Sequence, residues 1–287
     1  MVRSRVNWPL IPPVAAVLLF LIVPLLVVFA ISMQPSGSSL RRLWSGTFQA
    51  SFENYAVFLD RAYIRYLWDT LWLSFLASAI SIVAAYPIAY WLARARSSGL
   101  RKAAISLLMV VLYSSAILKV YGVALVFGPT GFRGVIAAFW DVGPASRLVT
   151  ATVVVIGLIN FLLPIAALVL VGPLQQVDPS LADVAASLGA NRIVTHLTVL
   201  VPVCLRGIGQ VFMLIYASSI SAFVIPSILG RGQVAFLANL VYARFSEVSD
   251  FSGGSALSIL LLAVTLGVTL GLGSLFGRQS GRAGRAR

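Results

Sequence analysis

The sequence predicts an all-helical membrane protein with six transmembrane helices. Hydrophobic residues make up 60% of the 287 residues and charged residues only 10%, whereas soluble domains carry about 25% charged residues. The net charge is +13, but the basic residues fall in short clusters between apolar runs. This pattern argues against nucleic-acid binding, which needs a basic face on a soluble fold. The charge-free runs are 6–40, 70–93, 103–118, 148–177, 207–230 and 251–277.

The lengths of these runs define the spans, because about 20 apolar residues cross ~30 Å of hydrocarbon at ~1.5 Å per residue. Five runs are long enough by themselves. The run at 103–118 continues past Lys119 to Gly128, with Lys119 near one end and able to reach the interface. The predicted spans are 12–33, 68–93, 103–127, 148–171, 199–224 and 253–276.

The first run is expected to be a retained span and not a signal peptide. Its apolar stretch is longer than the roughly 7–15 residues of a signal core, and prolines interrupt it. The whole chain, 1–287, is therefore predicted to form a single transmembrane domain.

Cys204 is the only cysteine, so an intramolecular disulfide is impossible, and no cluster of residues with metal-ligand spacing is present in the sequence.

The charge distribution predicts that both termini face the cytoplasm. Six spans place the termini on one side, and basic residues favour the cytoplasmic loops. The loops assigned to that side hold 12 Lys and Arg residues and two acids, whereas the opposite side holds nine and six. The short loop "RARSSGLRK" and the basic tail at 277–287 contribute most to this difference.

A cytoplasmic loop at 172–198 interrupts the apolar pattern with a short amphipathic helix. Asp178 is a good N-cap and Pro179 suits the first helical position. Gly189 suits the end of the helix, Asn191 can cap the next helix, and Pro202 permits a kink. The helix either docks into a groove of a partner or rests on the membrane surface. Its apolar face is predicted to comprise Leu181, Val184, Ala185 and Leu188.

This loop resembles the permease subunits of binding-protein-dependent ABC importers. Their pattern is Glu-Ala-Ala, three residues, Gly, about nine residues, then Ile-x-Leu-Pro. The sequence has Asp183-Val184-Ala185, then Gly189, then Val199-Leu200-Val201-Pro202, with conservative replacements and intact spacing. The resemblance implies a type I ABC importer permease-like bundle with a cytoplasmic coupling helix. It implies ATPase-coupling roles for Asp183, Val184, Ala185, Leu188, Gly189, Ala190 and Pro202.

Three further stretches are similar to spermidine/putrescine-type permeases. They are "TLWLSFLASAISIVAAYPIAYWLAR" at 70–94, "ILKVYG" at 117–122 and "SAFVIPSILGRGQVAFLANLVYARF" at 221–245. The stretch "DFSGGSALS" departs from the Trp-Pro-x-Gly-x-Ala version of that branch. This resemblance implies a permease for a small polar solute such as a polyamine. Other cargoes of the wider family stay open: an amino acid derivative, an opine, a phosphonate, a metal or an anion.

The same resemblance implies a set of partners. They are two ATP-binding cassette ATPase subunits, a second homologous permease in a heterodimer, an extracytoplasmic solute-binding protein and the lipid of a bacterial inner membrane. ATP and Mg would be bound by the ATPase subunits, since the sequence has no Gly-x4-Gly-Lys-Ser/Thr loop. Two rivals are a stand-alone secondary transporter or channel and a structural membrane subunit.

The chain is not expected to be an enzyme. The only histidine, His196, lies beside the coupling segment, where a solvated or structural role is expected, and no pair of carboxylates shares a span. Unpaired polar groups are costly in hydrocarbon. Polar residues within the spans therefore either line a water-filled pathway or are satisfied locally, with serines bonded back to their own helix and tyrosines at the interfaces. Asp69 is predicted either to attract a cation or to pair with Arg65 or Lys119. The candidate pathway residues are Asp69, Tyr113, Ser115, Lys119, Tyr121, Asn160, Tyr216 and Ser219.

Overall fold

The computed structural model describes residues 11–35, 51–56, 58, 60–128 and 131–283, with side chains described between 17 and 274. Its regular elements are all helical, as the sequence predicts. They are α1 (Ile11–Ser32), α2 (Glu53–Ala56), α3 (Arg61–Arg94), α4 (Ser98–Tyr113), α5 (Ala116–Val126), α6 (Arg133–Phe139), α7 (Arg147–Gln175), α8 (Ser180–Ser187), α9 (Arg192–Thr195), a π-helical turn (His196–Leu200), α10 (Val201–Ile220), α11 (Val224–Leu229), α12 (Leu237–Ser246) and α13 (Phe251–Ala283).

Within the described part of the chain, four helical segments are long and apolar enough to cross a membrane. They are Arg61–Arg94, Arg147–Gln175, Arg192–Ile220 and Phe251–Ser274. The bent pair α4 and α5 raises the number to five if the pair forms one span. These segments correspond to five of the six predicted spans. The first predicted span coincides with α1. Its segment with described side chains, Val17–Ser32, is apolar but shorter than the four segments above.

The predicted third span, 103–127, is not one straight helix, because α4 and α5 meet at an angle of 87°. Ser114 leaves the helix with φ −63° and ψ 144°, and the carbonyls of the last turn of α4 lose their helical donors. Side chains replace those donors: Ser114 Oγ donates to Val111 O at 2.7 Å, and Lys119 Nζ approaches Leu112 O at 3.5 Å. Such replacement lets a helix break within an apolar environment.

Helix α7 is the most enclosed of the long helices, with 56% of its apolar window buried. Two glycines permit the close packing around it. A Cβ on Gly157 would collide with Leu229, and a Cβ on Gly207 would collide with Pro173. The buried core around α7 includes Leu158, Leu162, Leu170 and Ile215.

The described residues cluster into two compact units, one from 1–64 and 240–263 and the other from 65–239 and 264–287.

In the first unit, Asp250 begins α13: its Oδ1 accepts from Gly253 N at 3.0 Å. Arg244 donates to Asp250 Oδ2 at 3.0 Å and to the Tyr63 hydroxyl at 2.5 Å. The Tyr63 hydrogen bond, followed by the Asp250 charge, raises the pKa of Arg244. A carboxylate cap thus starts this helix where the sequence departs from the Trp-Pro version.

The basic tail predicted at 277–287 is helical as far as Ala283, because α13 continues to that residue. The last four residues, 284–287, lie outside the described part of the chain, as do 36–50 of the aromatic outer loop. The organisation as a single domain stays a prediction.

Candidate coupling loop and translocation residues

The helix α8, hereafter the loop helix, is closed at both ends by local hydrogen bonds. Asp178 Oδ1 accepts from Ser180 N at 2.9 Å, and this hydrogen bond lowers the pKa of Asp178. At the other end, Ala190 N donates to Ala185 O at 3.0 Å and Gly189 adopts φ +83°. This is the Schellman arrangement, in which a left-handed residue lets the chain satisfy the last helical carbonyls. The capping roles predicted for Asp178 and Gly189 are confirmed, although the helix begins at Ser180.

The apolar face predicted for the loop helix is divided. Ala185 is 7% exposed, and Leu181 is half-buried against the core of the chain. Val184 and Leu188, in contrast, are 56% and 83% exposed. Neither of the two predicted outcomes, docking into a partner or resting on the membrane surface, therefore holds for all four residues. The side available to a partner consists of Val184 and Leu188, whereas Ala185 holds the helix to its own chain.

The next helix begins at the predicted cap and then bulges. Asn191 Oδ1 accepts from Val194 N at 2.8 Å. From His196 to Leu200 the backbone is π-helical, with the N–H of Val201 bonded to His196 O. Pro202 follows at the start of α10. A proline lacks the donor that a regular helix needs and crowds the preceding turn. The local rearrangement predicted at Pro202 takes the form of a π turn that ends two residues earlier, at Leu200.

His196 connects this bulge to the end of α3. The Tyr86 hydroxyl lies 3.1 Å from His196 Nδ1, and the Tyr90 ring meets the imidazole edge-on with centroids 4.4 Å apart. Arg94 stands 6.0 Å from the centre of the Tyr90 ring and donates from Nη2 to Val177 O at 2.6 Å. These four side chains, hereafter the histidine cluster, join the ends of α3 and α7 to the first turns after the loop helix.

Two open grooves are lined in part by residues of the loop 172–198. One, of about 330 Å³, lies against the loop helix and is lined by Ala182, Ala186, Ala190, Arg192 and His196, with Tyr90, Thr195 and Leu200. The other, of about 420 Å³, lies between α7 and α10 and is lined by Pro173, Gln176, Val177, Val203, Cys204, Arg206, Gly207 and Gln210. The two grooves therefore leave open space next to both ends of the loop.

Asp69 does not pair with Arg65 or Lys119. Arg147 Nη2 donates to both carboxylate oxygens of Asp69 at 2.5 Å, and the Asp69 side chain is 11% exposed. This ion pair joins the first part of α3 to the start of α7. Because Arg147 compensates the charge of Asp69, the carboxylate is not available to attract a cation.

The other candidate pathway residues fall into two groups. Tyr216 is 4% and Ser219 1% exposed, and the Tyr216 hydroxyl donates to Leu71 O at 3.0 Å. Lys119 is half-buried at the break between α4 and α5, with Nζ 5.8 Å from the centre of the Phe161 ring. The exposed group consists of Tyr113, Ser115, Tyr121 and Asn160. The exposed residues remain pathway candidates, whereas Tyr216 and Lys119 have structural contacts that the sequence does not reveal.

Sequence reasoning also missed a polar network beside α6. Arg133 is 4% exposed and donates to Pro144 O at 2.6 Å and to Thr150 Oγ1 at 2.7 Å. Thr150 in turn donates to Gln233 Oε1 at 2.7 Å, and Gln233 Nε2 donates to Ala145 O at 2.9 Å. Burial lowers the pKa of Arg133. The partners are up to 88 residues apart in sequence, so no local pattern could have identified them.

The chain is similar to several bacterial transport proteins. It is 26% identical over 268 residues to the spermidine/putrescine transport system permease protein PotB of Haemophilus influenzae, covering 91% of each chain. It is 26% identical over 216 residues to PotB of Salmonella typhimurium, covering 75% of each. It is 25% identical over 270 residues to the inner membrane ABC transporter permease protein YdcU of Escherichia coli, covering 83% and 84%.

Solved structures share the fold. A bacterial ABC transporter involved in the import of the acidic polysaccharide alginate matches with a TM-score of 0.69 at 16% identity, over 94% of this chain and 93% of that one. The inward-facing MetNI methionine ABC transporter matches with a TM-score of 0.57 at 12% identity, over 84% and 99%. No protein-family model matches the chain. The resemblance found in the loop is nevertheless confirmed: the chain is a multi-pass membrane protein homologous to the permease subunits of bacterial ABC transporters.

Proposed function

We propose that the chain is a permease subunit of an ABC importer and forms part of the translocation pathway for a polyamine-like solute. The carrying observation is the loop helix, which is capped at both ends and presents Val184 and Leu188 to solvent. Two large apolar side chains exposed one helical turn apart suit an interaction surface, with a protein or with the membrane. The homology to ABC transporter permeases identifies the kind of partner, an ATP-binding cassette subunit.

The proposed assembly contains two such ATPase subunits, which bind ATP and Mg and supply the energy. It also contains a second homologous permease, and a solute-binding protein that delivers the cargo. The chain itself has no nucleotide-binding site in this proposal. It spans a bacterial inner membrane six times, with α1 as the first span, and both termini lie in the cytoplasm.

The mechanism follows from the contacts around the loop. Closure of the ATPase subunits on ATP displaces the loop helix, and the histidine cluster passes that displacement to the ends of α3 and α7. Tyr86, bonded to His196, moves α3, while Arg94, bonded to Val177, keeps α3 and α7 together. The helices then change the side from which the pathway is open. A difference of a few kcal/mol between the two states is enough for a bound nucleotide to select one of them.

The proposed cargo rests on the relatives named as spermidine/putrescine permeases. The test is uptake of labelled spermidine by proteoliposomes that contain the chain, its second permease, its ATPase subunits and the binding protein. We expect uptake that requires both ATP and the binding protein, and none with the purified chain alone. Uptake by the chain alone would instead show a secondary transporter, and uptake of a different solute would correct the cargo.

A further inference from the structure

Five aromatic rings form a continuous series from α3 to α10, hereafter the aromatic ladder. The Trp68 and Trp72 rings are 6.3 Å apart and nearly parallel, at 6°. Trp72 and Phe75 follow at 6.2 Å and 14°. Phe75 then meets Phe212 edge-on at 5.4 Å, and Phe212 lies against Tyr216 at 5.7 Å. Residues 68, 72 and 75 share one face of α3, so the ladder follows the helix axis for about 10 Å at ~1.5 Å per residue.

The ladder is anchored at one end and open at the other. Tyr216 is buried, with its hydroxyl bonded to Leu71 O. Trp68, Trp72 and Phe75 are 64%, 51% and 40% exposed. The structure thus holds three large rings in series on a span, and all three residues are exposed.

A cation crossing this part of the chain finds no free carboxylate. Among the described residues of the membrane-spanning helices, Asp69 is the one acid, and Arg147 compensates its charge. Aromatic faces attract cations without bearing a charge of their own, and the attraction strengthens where water is excluded. The ladder supplies a continuous series of aromatic rings along one of the described spans.

The spacing of the rings fits a particular cation. A fully extended chain advances ~3.6 Å for every three bonds, so the five bonds between the ammonium groups of a four-carbon diamine span about 6 Å. The ring centroids repeat at 6.3 and 6.2 Å. Successive ammonium groups of such a molecule therefore match successive rings, which a single metal cation or an amino acid would not do.

We propose that Trp68, Trp72 and Phe75 form a cation–π track that binds linear aliphatic polyamines within the translocation pathway. This inference rests on the proposed function, because it assumes that a polyamine crosses the chain. Each ammonium group moves along the track by exchanging one ring for the next. The two other possible occupants of the exposed face, lipid and the second permease, are outcomes of the test.

The test changes the electrostatics of the rings without changing their shape. Mono-, di- and tetrafluorotryptophan are introduced singly at positions 68 and 72 in the reconstituted complex, and kcat/KM is measured for uptake of binding-protein-delivered spermidine. Fluorine withdraws charge from the ring face, so kcat/KM should fall stepwise, by about tenfold for the tetrafluoro form. The matched control is Trp91, which is 47% exposed on the same helix outside the ladder. Fluorination at position 91 should leave kcat/KM unchanged.

The outcomes separate the track from the proposed function. If the unmodified complex takes up no spermidine, the proposed function is wrong and the track is rejected with it. Suppose that the unmodified complex takes up spermidine, but that fluorination at 68 and 72 leaves kcat/KM unchanged or changes it as much as fluorination at 91. Then only the track is wrong. A Trp72→Leu complex that loses the second permease on co-purification, with a flat fluorine series, would assign the face to the subunit interface.

Discussion

At Gly189 one backbone torsion decides where the loop helix ends. The residue adopts φ +83°, and a side chain there would meet no atom within 4 Å. The cost of replacing it therefore comes from the backbone alone, about 1–2 kcal/mol for a residue with a Cβ. Residues whose partners are within three or four positions, such as Asp178, Gly189 and Asn191, can be identified from the sequence for this reason.

We predict that Gly189→Ala frays the end of the loop helix and lowers the amount of spermidine taken up per ATP hydrolysed. Gly189→Asn should retain more coupling, because Asn tolerates the left-handed conformation. The measurement is the ratio of uptake to phosphate release in proteoliposomes. Gly99→Ala is the matched control, since that glycine also has open space around it but no positive φ. Equal ratios for the two alanine variants would contradict the role assigned to Gly189.

Asp69 illustrates what the sequence does not determine at the scale of one residue. Its position within a span indicates that a partner is needed, but Arg147 is 78 residues away. The fold, and not the local sequence, brings the two together. The burial of Ala185 has the same origin, because the helical period alone does not say which side of a short helix faces its own chain.

Removing the charge of Asp69 should destabilise the chain. Asp69→Asn leaves Arg147 without its partner, and because Arg147 is 41% exposed the cost should be about 1–2 kcal/mol, below that of a fully buried pair. Thermal unfolding in detergent should show a lower Tm for this variant. Asp60→Asn, at an exposed position, should leave Tm unchanged. An unchanged Tm for Asp69→Asn would mean that the ion pair contributes nothing to stability.

At the scale of elements, charge-free runs are enough to locate the long helices. They do not reveal the break between α4 and α5, because the serines at 114 and 115 are tolerated in apolar helices. The break depends on Lys119 supplying a donor near Leu112 O. The π turn before Pro202 is similar. The proline predicts a rearrangement of the helix, but not that it is a π turn whose first residue, His196, contacts Tyr86 of another helix.

The histidine cluster should connect the loop helix to α3. We predict that Tyr86→Phe, which removes the hydroxyl beside His196 Nδ1, lowers the ratio of uptake to ATP hydrolysis by about two- to tenfold, the equivalent of one hydrogen bond. The measurement is made on the same proteoliposomes, with hydrolysis and uptake recorded together.

Tyr90→Phe is the control for this prediction, since Tyr90 contacts His196 through its ring. His196→Asn keeps an acceptor near the position of Nδ1 and should retain more coupling than His196→Leu. If Tyr86→Phe and Tyr90→Phe behave alike, or if His196→Asn is no better than His196→Leu, the hydrogen bond has no part in coupling.

At the scale of the whole molecule, composition is sufficient to predict a multi-pass helical membrane protein. It does not fix the number of spans, since among the described residues four helices qualify by length and hydropathy and a bent pair makes a fifth. It also cannot show what the exposed side of the loop helix touches, because the proposed contact is with another chain. The loop pattern and the homology are the two grounds for proposing an ATPase as that partner.

The central claim is that the exposed side of the loop helix binds a partner ATPase, and cross-linking tests it most directly. Cys204, the only cysteine in the sequence, is buried, so Cys204→Ser provides a background in which Leu188→Cys carries a benzophenone maleimide. In the ATP-bound complex, the probe at 188 should form an adduct with the ATPase subunit, whereas Ala185→Cys, at a buried position, should not. Adducts formed only with lipid from position 188 would contradict the account.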